Sequence, residues 1–395
     1  MTSVIRLAAV ATAVVLAAAG CGEPASGGQG GTDKLRIDAL AALSGPSAAV
    51  GQAMSQGMKA AVTVINDGGG VFGEPVELNL IDYGSGPTQA VAKAQELISQ
   101  GKPQAVIPGT PGSDIAAAMP VFAKAGVFVT HHDTNPDLTD VAKYPYSFTN
   151  AYPVDNATAS LAERLAGEGY EKIAYLTADD TSSRSNAKSA QKAFEEAGMS
   201  TEVGFVPTTA VDGTPQLQQL LATEPDALVL RAYGAQAPPI IKARQKLNPD
   251  LPTYGTQDLS ASNLDELAPA SAYAGMTFQS ISLAVAGSPA TETPAFKTFY
   301  DALKAETGGE LPFTIFTYLV GYNDVMLAAA AAEKAKSTDP AKMAEAVESI
   351  TAEDMPNYVG PVSFSADQHY PEYDSEWWTY IPYGPKVDGL IQPAS

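Results

Sequence analysis

Along most of the chain, short apolar runs alternate with segments whose apolar residues recur every three or four positions. Residues 35–40 read as a strand. Residues 48–66 follow with Met54, Met58, Ala61 and Ile65 at helical spacing, and Val76, Leu78 and Leu80 then alternate like a half-buried strand. The spacing predicts a helix over 88–99, with Val91, Ala92, Ala94 and Leu97 on its inner face. A strand at 105–107, a helix over 113–125 and a strand at 127–129 come next. The same beat restarts after Pro153, with strands at 173–176, around 203–205 and at 227–230, and a helix ending near Ala197. The Ala-rich stretch 327–336 reads as buried helix. Repeated βα units imply parallel sheets covered by helices.

Two such runs predict an α/β chain with two doubly wound parallel-sheet lobes. Parallel sheets receive ligands beyond the carboxyl ends of their strands, so a ligand cleft is expected between the lobes. Joints marked by Pro or Gly at 150–153, 275–280 and 360–361 are the candidate crossings. They divide the chain into an N-terminal lobe of 34–150 plus 279–360 and a C-terminal lobe of 151–278 plus 361–395.

The first residues follow a different pattern. Arg6 precedes an apolar run over 7–20 in which Thr12 is the sole polar side chain. That run is too short to span a bilayer comfortably and reads as a signal-peptide core. It ends Ala18-Ala19-Gly20-Cys21, which resembles a bacterial lipobox with Ala18 in the usual leucine position. Residues 1–21 are therefore expected to be a lipoprotein signal with Cys21 as the lipidated thiol, and 22–33 a Gly/Ser-rich tether. No other segment reads as long and apolar enough to span. The expected place is the outer face of the cytoplasmic membrane, held there by lipid alone. Cys21 is the single cysteine, so no disulfide forms within the chain.

Charge narrows the partners. The formal net charge is −21, from 44 acidic and 23 basic residues. A polyanion is repelled by such a surface, which argues against nucleic acid.

Four groups of residues carry candidate chemistry. Gly68, Gly70 and Gly73 fit G-x-G-x-x-G, but a helix precedes and a strand follows, the reverse of a dinucleotide site; a turn is expected. His131-His132-Asp133 follows a strand. Adjacent residues on an extended chain point opposite ways, so a polar loop lining a cleft is expected there and no metal. Gly112 and Ser113 open a helix, where Ser caps well and free N–H groups attract anions. Strand alternation puts Arg231 and Tyr233 on one face at a strand's carboxyl end. There an Arg forks a carboxylate or forms a surface or interlobe ion pair, and a Tyr packs on an apolar group. No G-x-S-x-G elbow, Walker loop or H-E-x-x-H occurs.

A set of ordered segments adds to this: Leu43-Ser44-Gly45-Pro46, Ile65-Asn66-Asp67-Gly68-Gly69, Val71-Phe72-Gly73, Ile81-Asp82-Tyr83, Gln89-Ala90-Val91, Pro120 with Ala125-Gly126-Val127, and Thr134 to Thr139. In this order and spacing they resemble the leucine/isoleucine/valine-binding group of periplasmic binding proteins, over nearly the whole chain after the tether. The resemblance implies a type I binding protein: two α/β lobes, three crossings, closure on a ligand, and delivery to an ABC permease. No cofactor and no catalysis are expected, and a tethered carrier works as a monomer, though the sequence leaves oligomeric state open. The resemblance places ligand contacts at Gly112 and Ser113, at His132, Asp133 and Thr134, and at Tyr233, with an aromatic at Phe313.

The departures from the family pattern matter for the ligand. His131, His132 and Asp133 stand where the family has small residues. Ser182 and Ser183 replace a common tyrosine. The acid that holds an ammonium falls at Gln257, with Asp258 beside it. A buried ammonium without a carboxylate is costly. A branched-chain amino acid therefore does not follow from the resemblance; an amide, a urea-like solute, a polar amino acid or an aromatic acid fits as well. An anchored solute sensor of the same fold, signalling to a membrane partner, is the alternative to a carrier.

Overall fold

The structure, a computed structural model, describes residues 34–392 other than 111, 248, 249 and 263. The signal segment, Cys21 and the 22–33 tether lie outside the described residues.

The first lobe starts with β1 (Arg36–Ala41), α1 (Ala48–Asp67), β2 (Glu77–Asp82), α2 (Pro87–Gln100), β3 (Ala105–Ile107), α3 (Gly112–Ala125), β4 (Phe128–His131) and β5 (Ser147–Thr149). Its sheet is parallel throughout, in the order β2-β1-β3-β4-β5. Ile37 on β1 sits between Leu78 and Ala105. Alternate β1 residues serve two cores: Leu35, Ile37 and Ala39 join one, Leu40 and Ala42 the other. A sheet covered on both faces needs such runs of apolar residues.

The second lobe repeats the theme. It contains α4 (Val154–Gly167), β6 (Lys172–Asp179), α5 (Thr181–Glu196), β7 (Ser200–Pro207), α6 (Thr214–Leu221), β8 (Ala227–Leu230), α7 (Ala237–Leu247), β9 (Thr253–Gly255), α8 (Gln257–Ala261), α9 (Leu264–Leu267) and β10 (Met276–Ile281). The order is β11-β10-β9-β8-β6-β7, where β11 (Trp378–Pro382) arrives from the far end of the chain and pairs antiparallel to β10. On β8, Leu228 and Leu230 face one core while Ala227 and Val229 face the other.

Between β10 and β11 the chain returns to the first lobe as α10 (Pro294–Thr307), α11 (Ile315–Ala335) and α12 (Pro340–Glu348). No spanning segment is expected after the signal, yet α11 is long and apolar enough by composition, with 21 residues and an 18-residue window of mean hydropathy 1.3. Its apolar character has another cause: 89% of that window is buried inside the protein. Close contact with α1 depends on glycine. A Cβ on Gly57 would lie 1.9 Å from the Tyr318 carbonyl oxygen, and one on Gly321 would lie 2.4 Å from that of Met54.

The crossings differ from two of the expected boundaries. Residues 279–281, assigned by the sequence to the first lobe, belong to β10 of the second sheet. The segment after Gly360 does not leave at once. Phe364 and His369 pack on Phe148, and the Tyr373 hydroxyl donates to the Asn150 carbonyl at 3.3 Å, before β11 enters the second sheet. Gly and Pro mark bends, while strand pairing decides membership.

Gly68, Gly70 and Gly73 form the expected turn between α1 and β2. Gly70 has φ of 78°, and a Cβ there would meet the Glu74 carbonyl oxygen at 2.0 Å. This is backbone geometry and leaves no phosphate cradle.

Candidate ligand-binding cleft

The first-lobe wall is the loop that leaves β4 beside the start of α3. His131 is fully buried; its Nδ1 accepts the Asp133 backbone N–H at 3.2 Å. Burial pushes its imidazole down to about 3, so it is neutral at ordinary pH. His132 turns the other way, and its Nδ1 lies 3.0 Å from Asp324 Oδ2 on α11. Asn150 also bonds Asp324, and donates to the Val320 carbonyl at 3.1 Å. The loop is thereby tied to α11 and to the first crossing.

Asp133 is 6% exposed. Its Oδ1 accepts the Asn135 N–H at 3.0 Å, and Thr149 donates to its carbonyl at 3.2 Å. Burial raises its carboxyl above the usual range. The carboxylate lies against Gly112, the first residue of α3: a Cβ on Gly112 would be 2.8 Å from Oδ2. The position of α3 is set by Asp114, whose Oδ2 accepts the Tyr83 hydroxyl at 2.8 Å and the Gly86 N–H at 2.9 Å.

The second-lobe wall is built on Arg231, immediately after β8. Its Nε lies 2.8 Å from Asp258 Oδ2, and Nη1 donates to Ser183 Oγ at 3.1 Å. The Asn186 amide also faces the guanidinium. Burial works against the charge, but Asp258 and, further off, Asp180 keep it raised. Asp180 caps α5, accepting the Ser183 N–H at 2.8 Å, and receives Gln236 Nε2 at 3.0 Å. Tyr233 is half-buried and its phenol, pushed up to about 12 chiefly by burial, meets Thr317 of α11.

The walls face one another. Asp133 feels both Arg231 and Asp258. Tyr152, at the first crossing, feels Asp258, Arg231 and Tyr233, and stacks edge-on against Trp378 at 4.8 Å and tilted on Phe316 at 6.0 Å. Helices α3 and α5 come near one another, and Thr314 donates to the Ala261 carbonyl at 3.2 Å. A small pocket lies elsewhere on the seam, lined by Ser262, Phe278, Thr314, Tyr383 and Lys386 among others, and none of the sequence-predicted site residues lines it.

Gly112, His132, Asp133, Arg231, Tyr233 and Asp258 thus gather in one region. Others sit differently. Ser113 is not the cap of α3, which begins one residue earlier; it is exposed, and its hydroxyl reaches Asp114 Oδ1 at 3.1 Å. Ser182 is half-buried, while its neighbour Ser183 holds Arg231. Gln257 is 2% exposed and its Oε1 accepts the Ile281 N–H and the Ser260 hydroxyl, both at 3.1 Å, so it ties α8 to β10. Thr134 is half-buried; its carbonyl accepts the Val154 N–H at 3.2 Å. Phe313 packs against the first-lobe core, and Phe316 is the aromatic that reaches Tyr152. Tyr152, Ser183, Asn186 and Thr317 were missed: each is an ordinary helix or hinge residue until the lobes come together. Among the described residues no group of three or more His, Cys, Asp or Glu is arranged to hold a metal.

Comparison with known proteins agrees with this architecture. A model of the periplasmic binding protein family matches residues 34–376. A Leu/Ile/Val-binding protein of Rhizobium johnstonii is 28% identical over 337 residues, covering 84% of this chain and 87% of that protein. A leucine-, isoleucine-, valine-, threonine- and alanine-binding protein of Pseudomonas aeruginosa is 26% identical, over 81% of this chain and 84% of its own. Among solved structures, a type 1 periplasmic binding protein of Bordetella pertussis superposes with a TM-score of 0.78 at 20% identity, covering 92% and 100% of the two chains. A Rhodopseudomonas palustris solute-binding protein in complex with 4-hydroxybenzoate gives 0.74 at 22%, covering 91% and 95%. With two helix-covered parallel sheets facing across a polar seam and a family match spanning both, the chain belongs to the leucine/isoleucine/valine-binding group of type I periplasmic binding proteins.

Proposed function

We propose that the protein is the solute-capturing component of an ABC importer, taking an amino acid or a related small polar molecule between its lobes without chemical change. The observation that carries this reading is that Asp133, on the first lobe, lies within electrostatic reach of the Arg231–Asp258 pair of the second. Both stand beyond strand ends, where open parallel sheets receive ligands. Polar groups left facing a seam are stabilised by a ligand that completes their hydrogen bonds, so binding and lobe closure are coupled. The relatives named for branched-chain amino acids and the 4-hydroxybenzoate complex mark the range of ligands this fold accommodates. The reading includes anchoring through Cys21 and work as a monomer beside a permease.

Thermal unfolding of the solute-stripped protein against amino acids, amides, urea and aromatic acids tests it. A ligand at about a hundredfold over its dissociation constant adds roughly 2.7 kcal/mol of stability. A shift confined to one chemical class supports the proposal. No shift from any of them, with turnover of a compound instead, overturns it.

A further inference from the structure

We infer that this cleft selects a cation rich in N–H donors and lacking a free carboxylate, and that Asp133 is the residue that sets this preference. The inference rests on reading the seam as the solute site and names the solute's charge. A helix start offers unpaired backbone N–H groups and the positive end of the helix dipole, which suits an anion. At the start of α3 the protein's own carboxylate stands close by. Asp133 Oδ2 lies 2.8 Å from where a Gly112 side chain would begin, and Gly112 is the opening residue of the helix. A carboxylate ligand brought there meets a like charge in a buried setting, which disfavours it strongly.

The cation that acts on Asp133 from the opposite wall is already engaged. The Arg231 guanidinium is engaged by Asp258 at 2.8 Å and Ser183 at 3.1 Å, with Asp180 nearby. His132 faces Asp324 at 3.0 Å. Around Asp133, the carboxylates of Asp180, Asp258 and Asp324 thus stand with it against one guanidinium, Arg231, and the His132 imidazole, an acidic excess. Asp133 carries a part of that excess that no cation bonds: among the described residues one backbone N–H, at 3.0 Å, reaches its carboxylate. An ammonium or amidinium supplies what it lacks. The aromatic faces of Tyr152, Phe316 and Trp378 close the region, and such faces attract cations. The net charge of −21 draws the same class toward the protein.

The experiment is calorimetric titration of the full, solute-stripped protein with matched pairs: leucinamide against leucine, and tyramine against 4-hydroxybenzoate. The expected result is that the cation of at least one pair binds about tenfold or more tightly than its carboxylate partner, the scale of one uncompensated buried charge. Asp133→Asn, close to isosteric, erases that preference, and Asp133→Ser does so independently of the amide. Tighter binding of leucine or 4-hydroxybenzoate overturns the inference while leaving solute capture intact. An unchanged ratio in both variants, with folding confirmed by their melting curves, overturns the role of Asp133. Silence from all four probes overturns the charge preference; silence from the wider solute panel as well removes the importer reading too.

Discussion

Arg231 and Asp258 form an ion pair 2.8 Å long that lies within the second lobe, their side chains 10% and 25% exposed. The guanidinium is therefore neutralised before any ligand arrives. Removing one partner leaves the other desolvated and unpaired. Asp258→Ala should cost about 3 kcal/mol, at the low end for a buried pair because Asp258 keeps some solvent. The double variant Arg231→Met with Asp258→Leu should recover most of that loss, since no charge is then stranded. Chemical denaturation of the three proteins checks both statements.

Asp133 makes the unliganded protein pH-dependent in one direction. Burial raises its folded pKa above that of the unfolded chain, about 3.9. Its favourable contribution is fully present below that unfolded value and is lost as pH rises through the folded one. At pH 7 the buried carboxyl is therefore a cost relative to acid conditions. Asp133→Asn should raise the melting temperature of the solute-free protein at pH 7, and the gain should vanish near pH 3. A melting series across that interval reads it.

His131 works in the opposite sense. Its imidazole is depressed to about 3 by complete burial, against about 6.5 when unfolded. The contribution is present above the unfolded value and is lost as pH falls toward the folded one. Each pH unit in that interval removes up to about 1.4 kcal/mol through this single group. His131→Gln, with an amide to accept the Asp133 N–H, should flatten the acid limb of the stability curve between pH 6 and pH 4 relative to the native chain.

What the sequence disclosed about these residues follows physical lines. Helical and alternating apolar spacing placed α1, β3 and β8 closely, because those elements are decided by local burial. Arg231 and Asp133 were legible because each stands just past a short apolar strand, where polar residues have no core role. Arg231's partner was foreseen as a surface, interlobe or ligand group and not by name; it is Asp258, on its own lobe. Gln257 reads as a ligand residue by position, yet its carbonyl is consumed by Ile281, a partner 24 positions away. Tyr152 and Thr317 carry no local mark, since their place depends on two lobes meeting. The crossings at 281 and beyond 373 were hidden because β11 pairs with a strand about a hundred residues earlier.

The packing of α1 on α11 offers a test that links fold to site. Gly57 has no room for a methyl group: its Cβ would stand 1.9 Å from the Tyr318 carbonyl oxygen, and that atom belongs to helix backbone that cannot swing aside. Gly57→Ala must push the helices apart, at a cost of about 3 kcal/mol or more. Gly167, exposed at the end of α4 with nothing near its Cβ position, is the control. Gly167→Ala should be neutral or stabilise by up to about 1 kcal/mol, because alanine loses less backbone freedom on folding. The separation also reaches the cleft. Six residues on from Tyr318, α11 carries Asp324, which holds His132 and the loop bearing Asp133. Displacing α11 should therefore weaken solute binding in Gly57→Ala even at temperatures where the variant remains folded, while Gly167→Ala binds as the native protein does.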